Sequence, residues 1–276
     1  MAKTHSKYVC QQCGYETTGW MGKCPSCDTW NSLVETVVEE TKTSRSQRLT
    51  GKLTPKNLSQ VKISKNPRNS TKISELDRVL GGGVVGGQVI LLAGEPGIGK
   101  STILLQLSEK LGKVLYVSGE ESASQVAIRA SRLGINSKKI DFLESTDIDQ
   151  VIGAGESNEP TAFIIDSIQT MTTSDLSGLP GSVGQVRECA FRLVRFAKSK
   201  NIPVFIVGHV TKEGSVAGPA VLAHIVDTVL WFEGDKTLTL RLLRAYKNQF
   251  GPTDEVGIFT MEESGLNSAT NVDKLF

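Results

Sequence analysis

The chain has 276 residues, of which 39% are hydrophobic and 22% are charged, and its formal net charge is +2. This composition suits one sizeable core and a small additional module. No apolar run approaches the roughly 20 residues that span a membrane, and no hydrophobic segment follows the polar residues 1–7 as in a signal peptide, so we expect a cytoplasmic protein without a membrane partner.

The charge is unevenly distributed along the chain. Residues 1–72 carry 12 Lys and Arg against 5 Asp and Glu, a net of +7, whereas residues 73–276 carry 19 against 24, a net of −5. A basic first part favours a polyanionic partner, although solvated basic linkers are also common.

Four of the five cysteines form two Cys-x2-Cys pairs, Cys10 with Cys13 and Cys24 with Cys27. Each pair offers two thiolates at knuckle spacing, and four thiolates complete a tetrahedral Zn²⁺ site. Disulfides are the alternative, and both a reducing cytoplasm and the short spacing argue against them. We therefore predict a structural zinc module over residues 1–38, in which the metal supplies folding energy that so small a core lacks.

Three aromatic side chains of this module, Tyr8, Trp20 and Trp30, are expected to pack around the metal, with stacking on nucleobases as the alternative. The fifth cysteine, Cys189, lies in a helical pattern and is interpreted as a buried, unreactive thiol.

Residues 39–70 are predicted to form a flexible basic linker. Its segment 41–70 holds eight Lys and Arg, no acids and little apolar periodicity. The linker either follows a nucleic-acid backbone or is simply solvated, and both interpretations stay open.

Residues 71–276 alternate strands and helices, which predicts an α/β domain with a mainly parallel sheet flanked by helices. The predicted elements are helices over 71–80, 101–111, 122–133, 147–153 and 184–200, and strands over 88–93, 114–118, 140–143, 161–166 and 203–208. Three strands then follow in succession, over 226–232, 237–244 and 255–260, and we expect them to add antiparallel to one edge.

The segment 94–102 lies between a predicted strand and a helix and fits the phosphate-binding pattern G-x-x-x-x-G-K-S. Its glycines let backbone amides curl around phosphate oxygens, and the helix N-terminus adds partial positive charge. Lys100 is predicted to reach the β- and γ-phosphates of ATP, and the Ser101 hydroxyl to bind Mg²⁺. The predicted nucleotide-binding residues here are Gly94, Glu95, Pro96, Gly97, Ile98, Gly99, Lys100, Ser101 and Thr102.

Polar residues follow several of the predicted strands, at the end where parallel sheets bind ligands. Asp166 fits a carboxylate that acts on Mg²⁺ through water. Glu120 is predicted to orient or deprotonate the attacking water, with Glu121 as the alternative. His209 and Thr211 are candidates for sensing the γ-phosphate. The competing interpretation is that such acids only cap the next helix.

Two glycine-rich loops, 172–185 and 212–220, have no predicted regular structure, and their glycines permit close approach of a phosphate backbone. The helix predicted after the first loop carries Arg187, Arg192 and Arg195. These arginines either contact phosphates or form a solvated basic face, and both interpretations stay open.

Together these motifs resemble the RadA family, also called Sms, bacterial DNA repair and recombination proteins of the RecA/DnaB-like motor class. The resemblance covers essentially the whole chain and rests on the four-cysteine knuckle, the basic linker and the segments GEPGIGKST, YVSGEES, IDSIQT, LPGSVGQVRE, HVTKEG and KNQFG. It implies a RecA-like P-loop ATPase domain over 71–276, with ATP, Mg²⁺ and Zn²⁺ as cofactors, and two DNA-binding loops. It further implies a helicase-like hexameric ring that encircles single-stranded DNA, promotes branch migration of branched DNA and works with the RecA recombinase. By the same resemblance Glu120, not Glu121, is the catalytic glutamate.

The sequence departs from the family pattern at KNRFG, which reads Lys247-Asn-Gln-Phe-Gly251 here, with Gln249 in place of the arginine. In ring motors a cation from the neighbouring subunit often stabilises the transition state, so Lys247 and Gln249 are included among the predicted nucleotide-binding residues. The family also carries a C-terminal Lon-protease-like domain that residues 1–276 do not contain. A regulatory ATPase that does not translocate on DNA, such as the KaiC-type clock ATPases, is the alternative function.

Overall fold

The computed structural model describes residues 4–12, 14–39, 57–60, 68–209, 219–234 and 239–269. These ranges contain a three-stranded sheet near the N-terminus, a two-stranded sheet, and a nine-stranded sheet at the centre of the larger domain. None of the helices in the described ranges combines the length and the apolar character required to cross a bilayer.

The N-terminal sheet is antiparallel and brings Cys10 close to Cys24 and Cys27. Its strands are β1 (Thr4–Cys10), β2 (Glu16–Thr17) and β3 (Leu33–Glu39), in the order β2-β1-β3. Cys10 lies opposite Leu33 at the end of the β1–β3 ladder. The small core consists of Cys10, Cys24 and Leu33, with Tyr8, Met21 and Cys27 packed against it.

The predicted packing of the three aromatic residues is wrong for the two tryptophans. Tyr8 does contact the cysteine core, but Trp20 is 60% exposed and Trp30 is 69% exposed. The cysteine core is instead built from Leu33 of β3 together with Tyr8 and Met21, and the two indoles lie outside it.

The larger domain contains strands and helices in the order expected of an α/β protein. Its elements are β4 (Arg68–Asn69), α1 (Ser74–Leu80), β5 (Val84–Val85), β6 (Val89–Gly94), α2 (Lys100–Lys110), β7 (Val114–Ser118), α3 (Ala123–Arg132), β8 (Ile140–Glu144), α4 (Ile148–Asn158), β9 (Ala162–Asp166), α5 (Val183–Lys200), β10 (Val204–His209), α6 (Pro219–Ala223), β11 (Thr228–Glu233), β12 (Leu240–Asn248), β13 (Val256–Glu262) and β14 (Gly265–Ser268).

The nine-stranded sheet has the order β14-β13-β12-β11-β6-β10-β9-β7-β8. Strands β11, β6, β10, β9, β7 and β8 are mutually parallel, which confirms the predicted α/β class. The expectation for β11 was wrong, since it pairs parallel to β6, and only β12, β13 and β14 add antiparallel. Strands β10 and β11 flank β6 and both run parallel to it, so the chain must cross over between them, and α6 lies in that connection, where it overlaps the end of the predicted loop 212–220.

Helix α4 continues five residues beyond its predicted end at residue 153. Gly155 explains the extension, because a Cβ there would lie 2.8 Å from Cζ of Phe196. The glycine therefore lets α4 pack closely on α5, and this tertiary contact outweighs the low helix propensity of glycine.

Side chains of the central strands alternate between two buried clusters, one on each face of the sheet. Ile90 and Leu92 join the cluster under α1, α2 and α3, while Leu91 joins the cluster under α4 and α5. Cys189 lies in the second cluster, where burial raises the pKa of its thiol to about 12, as expected for an unreactive cysteine. Because both faces are covered, functional side chains must lie at the strand ends.

Candidate functional site

Four parallel strands end at one edge of the sheet and bring their polar residues together. In the ladders His209 lies opposite Gly94, and Ser118 lies opposite Asp166. These ends form a cleft lined by Ser101, Ser118, Glu120, Glu121, Arg129, Asp166 and His209. The P-loop follows β6 and opens α2 at the same edge, so the cleft adjoins the predicted phosphate site.

The P-loop between β6 and α2 is held from behind by the neighbouring strands. A Cβ on Gly94 would lie 2.3 Å from the carbonyl oxygen of Phe232 in β11, so only glycine permits this approach. Arg241 in β12 is buried, and its Nε donates to the carbonyl oxygen of Ile98 at 3.2 Å. Sequence reasoning missed these contacts because their partners are far apart in the chain, 143 positions for Ile98 and Arg241.

Lys100 is buried and lies over the P-loop. Its ammonium donates to the carbonyl oxygens of Gly94 and Glu95, each at 2.8 Å. Burial lowers the pKa of Lys100 to about 8, and the negative charges of Asp166 and Glu120 partly oppose this shift. The ammonium thus remains mainly protonated at neutral pH and carries a positive charge beside the cleft.

Asp166 is held by a buried tyrosine that the sequence analysis did not single out. The Tyr116 hydroxyl, on β7, donates to Asp166 Oδ2 at 2.6 Å. Burial and the adjacent Asp166 charge raise the pKa of Tyr116 well above its usual range, so the hydroxyl keeps its proton. A tyrosine inside an apolar strand is the signal that could have found it, because a buried hydroxyl needs a partner.

The oxygen donors at this edge fit the predicted magnesium site. Ser101 and Asp166 line the same cleft, and hydroxyl, carboxylate and water oxygens are the ligands that Mg²⁺ prefers. Tyr116 occupies one oxygen of Asp166 and leaves the carboxylate fixed in orientation.

Glu120 and Glu121 have different partners, although both follow β7. The Ser167 hydroxyl donates to Glu120 Oε1 at 2.6 Å, and Nε2 of His209 lies 3.7 Å from the same oxygen. Glu121 instead forms an ion pair with Arg129 of α3. Glu120 is therefore held by a hydroxyl and lies near a histidine, whereas a permanently charged guanidinium holds Glu121.

Neither acid caps a helix. Helix α3 begins at a capping box in which Ser122 and Gln125 bond each other's backbone amides. Asp166 likewise gives no cap to the short turn Ile168–Thr170, whose N-cap residue is Ser167. The capping interpretation of these strand-end acids is therefore wrong, since the caps come from other residues.

His209 lies at the end of β10, close to the P-loop lysine. Burial and then the positive charge of Lys100 lower the pKa of His209 from its usual range, which favours the neutral imidazole. Gln169 Nε2 donates to the carbonyl oxygen of His209 at 3.2 Å and links it to the segment that precedes the first glycine-rich loop. Thr211 and most of the loop 212–220 lie outside the described residues.

Lys247 and Gln249 do not join the cleft within one chain. Lys247 lies opposite Val229 near the start of β11, whereas the P-loop follows the far end of the adjacent strand β6. The ammonium of Lys247 donates to the carbonyl oxygens of Ala223 and Val226, each at 2.7 Å. The Gln249 side chain is exposed at this opposite edge.

The loop 172–185 is anchored at its base by two side chains of α5. The amide of Gln185 is buried and bonds the backbone of Thr173 and Leu176. Arg192 bonds the carboxylates of Asp149, Asp175 and Glu188. Burial lowers the pKa of Arg192, but the hydrogen bonds to the three carboxylates outweigh this effect. The net result is a pKa above the usual range of arginine. The Arg192 guanidinium is therefore engaged by three carboxylates that anchor the loop, and it is not free to contact phosphate.

The described cysteines of the N-terminal module fit a zinc site. The sulfur atoms of Cys10, Cys24 and Cys27 all lie within 4.8 Å of one another, and Cys10 and Cys27 are 3.6 Å apart. Thiolates around Zn²⁺ with bonds of about 2.3 Å have S···S separations of about 3.8 Å. A disulfide between this pair would need a distance near 2.05 Å, so the geometry matches metal ligation. Cys13, the predicted fourth ligand, lies outside the described residues.

Metal removal should therefore unfold the module selectively. We expect one Zn²⁺ per chain, and we expect a chelator to abolish the structure of residues 8–35 while the larger domain keeps its thermal transition, because the two have separate cores. Metal analysis of freshly reduced protein, followed by calorimetry with and without chelator, measures both quantities. A Cys189→Ser variant is the matched control, and zinc-free protein with an intact module would contradict the assignment.

Comparison with known proteins agrees with this organisation. Residues 8–35 match the rubredoxin metal binding domain family, and residues 54–215 match the AAA domain family. Over its whole length the chain is 49% identical to the DNA repair protein RadA of Bacillus subtilis and 50% identical to that of Halalkalibacterium halodurans. It spans 62% of the length of each of these relatives. The resemblance inferred from the motifs is thus confirmed.

Proposed function

The chain belongs to the AAA domain family, and from that premise we propose that it hydrolyses ATP as a DNA-dependent, helicase-like motor on single-stranded and branched DNA. The observation that carries the proposal is the cleft where Lys100, Asp166 and Glu120 converge beside the P-loop. The names of the relatives add DNA repair as the setting.

In this proposal each side chain has a separate task in hydrolysis. Lys100 donates to the β- and γ-phosphate oxygens in place of the two loop carbonyls that it now contacts. Glu120 accepts a proton from the attacking water or orients it, with Ser167 holding the carboxylate. His209 donates a ring N–H to an oxygen of the γ-phosphate. Ser101 and Asp166 would hold Mg²⁺, which neutralises charge on the phosphates when bound.

The location of Lys247 and Gln249 supports a ring of identical subunits. They lie at the edge opposite the P-loop, so a head-to-tail neighbour presents them to the next subunit's cleft. Gln249 is exposed and free to cross such an interface, whereas Lys247 is committed to two carbonyls of its own chain. We propose a hexamer on the family pattern, acting with the RecA recombinase in branch migration.

A regulatory ATPase without DNA translocation is the second candidate, because the same cleft hydrolyses ATP in either case. The decisive experiment measures ATPase rates with and without single-stranded DNA. We expect stimulation by single strands, and an unchanged rate together with no DNA binding would favour the regulatory alternative.

Position 249 offers a test of the ring. We expect Gln249→Arg to raise the DNA-stimulated ATPase rate, because a guanidinium from the neighbour stabilises transition-state charge that an amide cannot. Such a cation is worth about 10³ to 10⁵ in rate in related enzymes, and nucleotide affinity should change little. Gln249→Lys is the matched control, because it adds a positive charge without the planar guanidinium group of arginine. Equal ATPase rates for the unaltered chain and both variants would show that residue 249 serves only the turn after β12 and takes no part in hydrolysis.

A further inference from the structure

The KNQFG segment, residues 247–251, forms the end of β12 and the turn that follows it, and most of its side chains are used within the chain. Lys247 donates to two backbone carbonyl oxygens, each at 2.7 Å. Asn248 Nδ2 donates to two others, and Asn248 Oδ1 accepts from Phe250 N at 3.1 Å. The side chain of Gln249, in contrast, is exposed.

The glycine that closes the turn is required by its surroundings. A Cβ on Gly251 would lie 2.8 Å from Asn248 Nδ2 and 3.0 Å from the carbonyl oxygen of Leu80, the last residue of α1. Gly81 approaches the turn from the helix side, where a Cβ would lie 3.1 Å from Cδ of Pro252. The turn is therefore packed directly against the backbone at the C-terminal end of α1.

Arg68 of β4 joins the turn to this end of α1. Its Nη2 donates to the carbonyl oxygen of Phe250, and its Nη1 donates to those of Leu80 and Gly83, each at 3.2 Å. The last carbonyls of a helix lack partners inside the helix, and a cation near them is favourable. One guanidinium thus binds the turn and the helix end at the same time.

The backbone of Arg68 is itself held in place. It pairs with Val85 in the short β4–β5 sheet. A Cβ on Gly83, just before β5, would lie 2.4 Å from the carbonyl oxygen of Asn69, so the two strands are in close contact. Residues 86–88 then lead from β5 into β6, the strand that ends in the P-loop. The turn is therefore tied through Arg68 to the strand that carries the P-loop of the same chain.

We propose that Arg68 is a positioning residue that fixes where residue 249 meets the cleft of a neighbouring subunit. The inference rests on the proposed function, in which a head-to-tail ring presents position 249 across the interface. Because the other members of the segment are committed to their own chain, the turn serves as a mount for one exposed side chain. A group displaced by about 1 Å through a distant substitution can cost about 10²-fold in rate.

The first test uses the Gln249→Arg chain, because its guanidinium gives the mount a charge to position. We expect Arg68→Ala in this background to lower the DNA-stimulated ATPase rate about 10- to 100-fold. Nucleotide affinity should stay unchanged, because the P-loop lies at the opposite edge of the sheet. Arg68→Lys should give an intermediate rate, since an ammonium lacks the fork that reaches three carbonyls. Arg78→Ala is the matched control, because Arg78 also donates to a backbone carbonyl, that of Val256 on β13.

The second test mixes two impaired chains that both carry Gln249→Arg. The Arg68→Ala chain keeps its cleft and presents a displaced residue 249, whereas the Lys100→Ala chain has an intact turn and an inactive cleft. Equal amounts, assembled together, should restore about a quarter of the rate of the Gln249→Arg chain, because half of the clefts are intact and half of these meet an intact turn. A substitution that only destabilises its own chain is not rescued by mixing.

The outcomes separate this inference from the proposed function. If Gln249→Arg hydrolyses ATP no faster than the unaltered chain, residue 249 takes no part in hydrolysis and both fail. If Gln249→Arg is faster and Arg68→Ala does not slow it, only the role of Arg68 fails. A slow Arg68→Ala chain that mixing does not restore also overturns the inference, because the substitution then acts within its own subunit.

Discussion

Lys100→Ala is expected to abolish ATP turnover. The ammonium is the positive charge that the P-loop presents to the phosphates, and it lies buried against the carbonyls of Gly94 and Glu95. In a site shielded from water one fixed donor of this kind contributes about 10²- to 10³-fold or more to the rate. Because ground-state phosphates also need it, nucleotide affinity should fall as well.

The fold should survive this substitution. Removing Lys100 leaves two carbonyl groups without this donor, which costs about 1–3 kcal/mol for each group that stays buried and unpaired, but it also removes a desolvated charge. We expect a shift of a few degrees at most in the melting temperature, measured beside Lys110→Ala as a control on the same helix. A Lys100→Ala protein with normal turnover would remove the P-loop from the mechanism.

The buried strands and the P-loop could be predicted because their signals are local. Strands such as β7 and β9 are covered on both faces, so each appears in the sequence as a continuous apolar run with a polar residue at its end. Parallel strands place those ends at one edge, and the cleft follows from that rule alone.

The contacts that sequence reasoning missed are long-range. Arg241 supports the P-loop through Ile98, and Tyr116 holds Asp166, but neither partner is close in sequence. The connection that leads to the parallel strand β11 contains α6, a helix of five residues that is too short to leave a periodic pattern. The exposure of Trp20 and Trp30 likewise follows from the tertiary packing of the module, which no local pattern reports.

Glu120→Gln is expected to lower the rate of ATP hydrolysis strongly, and this result would distinguish Glu120 from Glu121 as the catalytic acid. Glu120→Gln keeps an oxygen that accepts from the Ser167 hydroxyl but removes the charge that handles the water proton. Loss of a general base lowers a rate by about 10²- to 10⁴-fold, so we expect hydrolysis to fall by that factor while nucleotide binding persists. Single-turnover hydrolysis and fluorescent-nucleotide binding measure the two quantities separately.

Glu121→Gln is the matched control, and its expected effect is on stability. The substitution replaces the ion pair with half-buried Arg129 of α3 by a hydrogen bond to a neutral amide, and should cost about 1 kcal/mol of folding free energy. Because this partner already holds the carboxylate, removing its charge should lower the hydrolysis rate only a few-fold. The opposite pattern, in which Glu121→Gln stops hydrolysis and Glu120→Gln does not, would reverse the assignment and make the Arg129 pair part of the catalytic machinery.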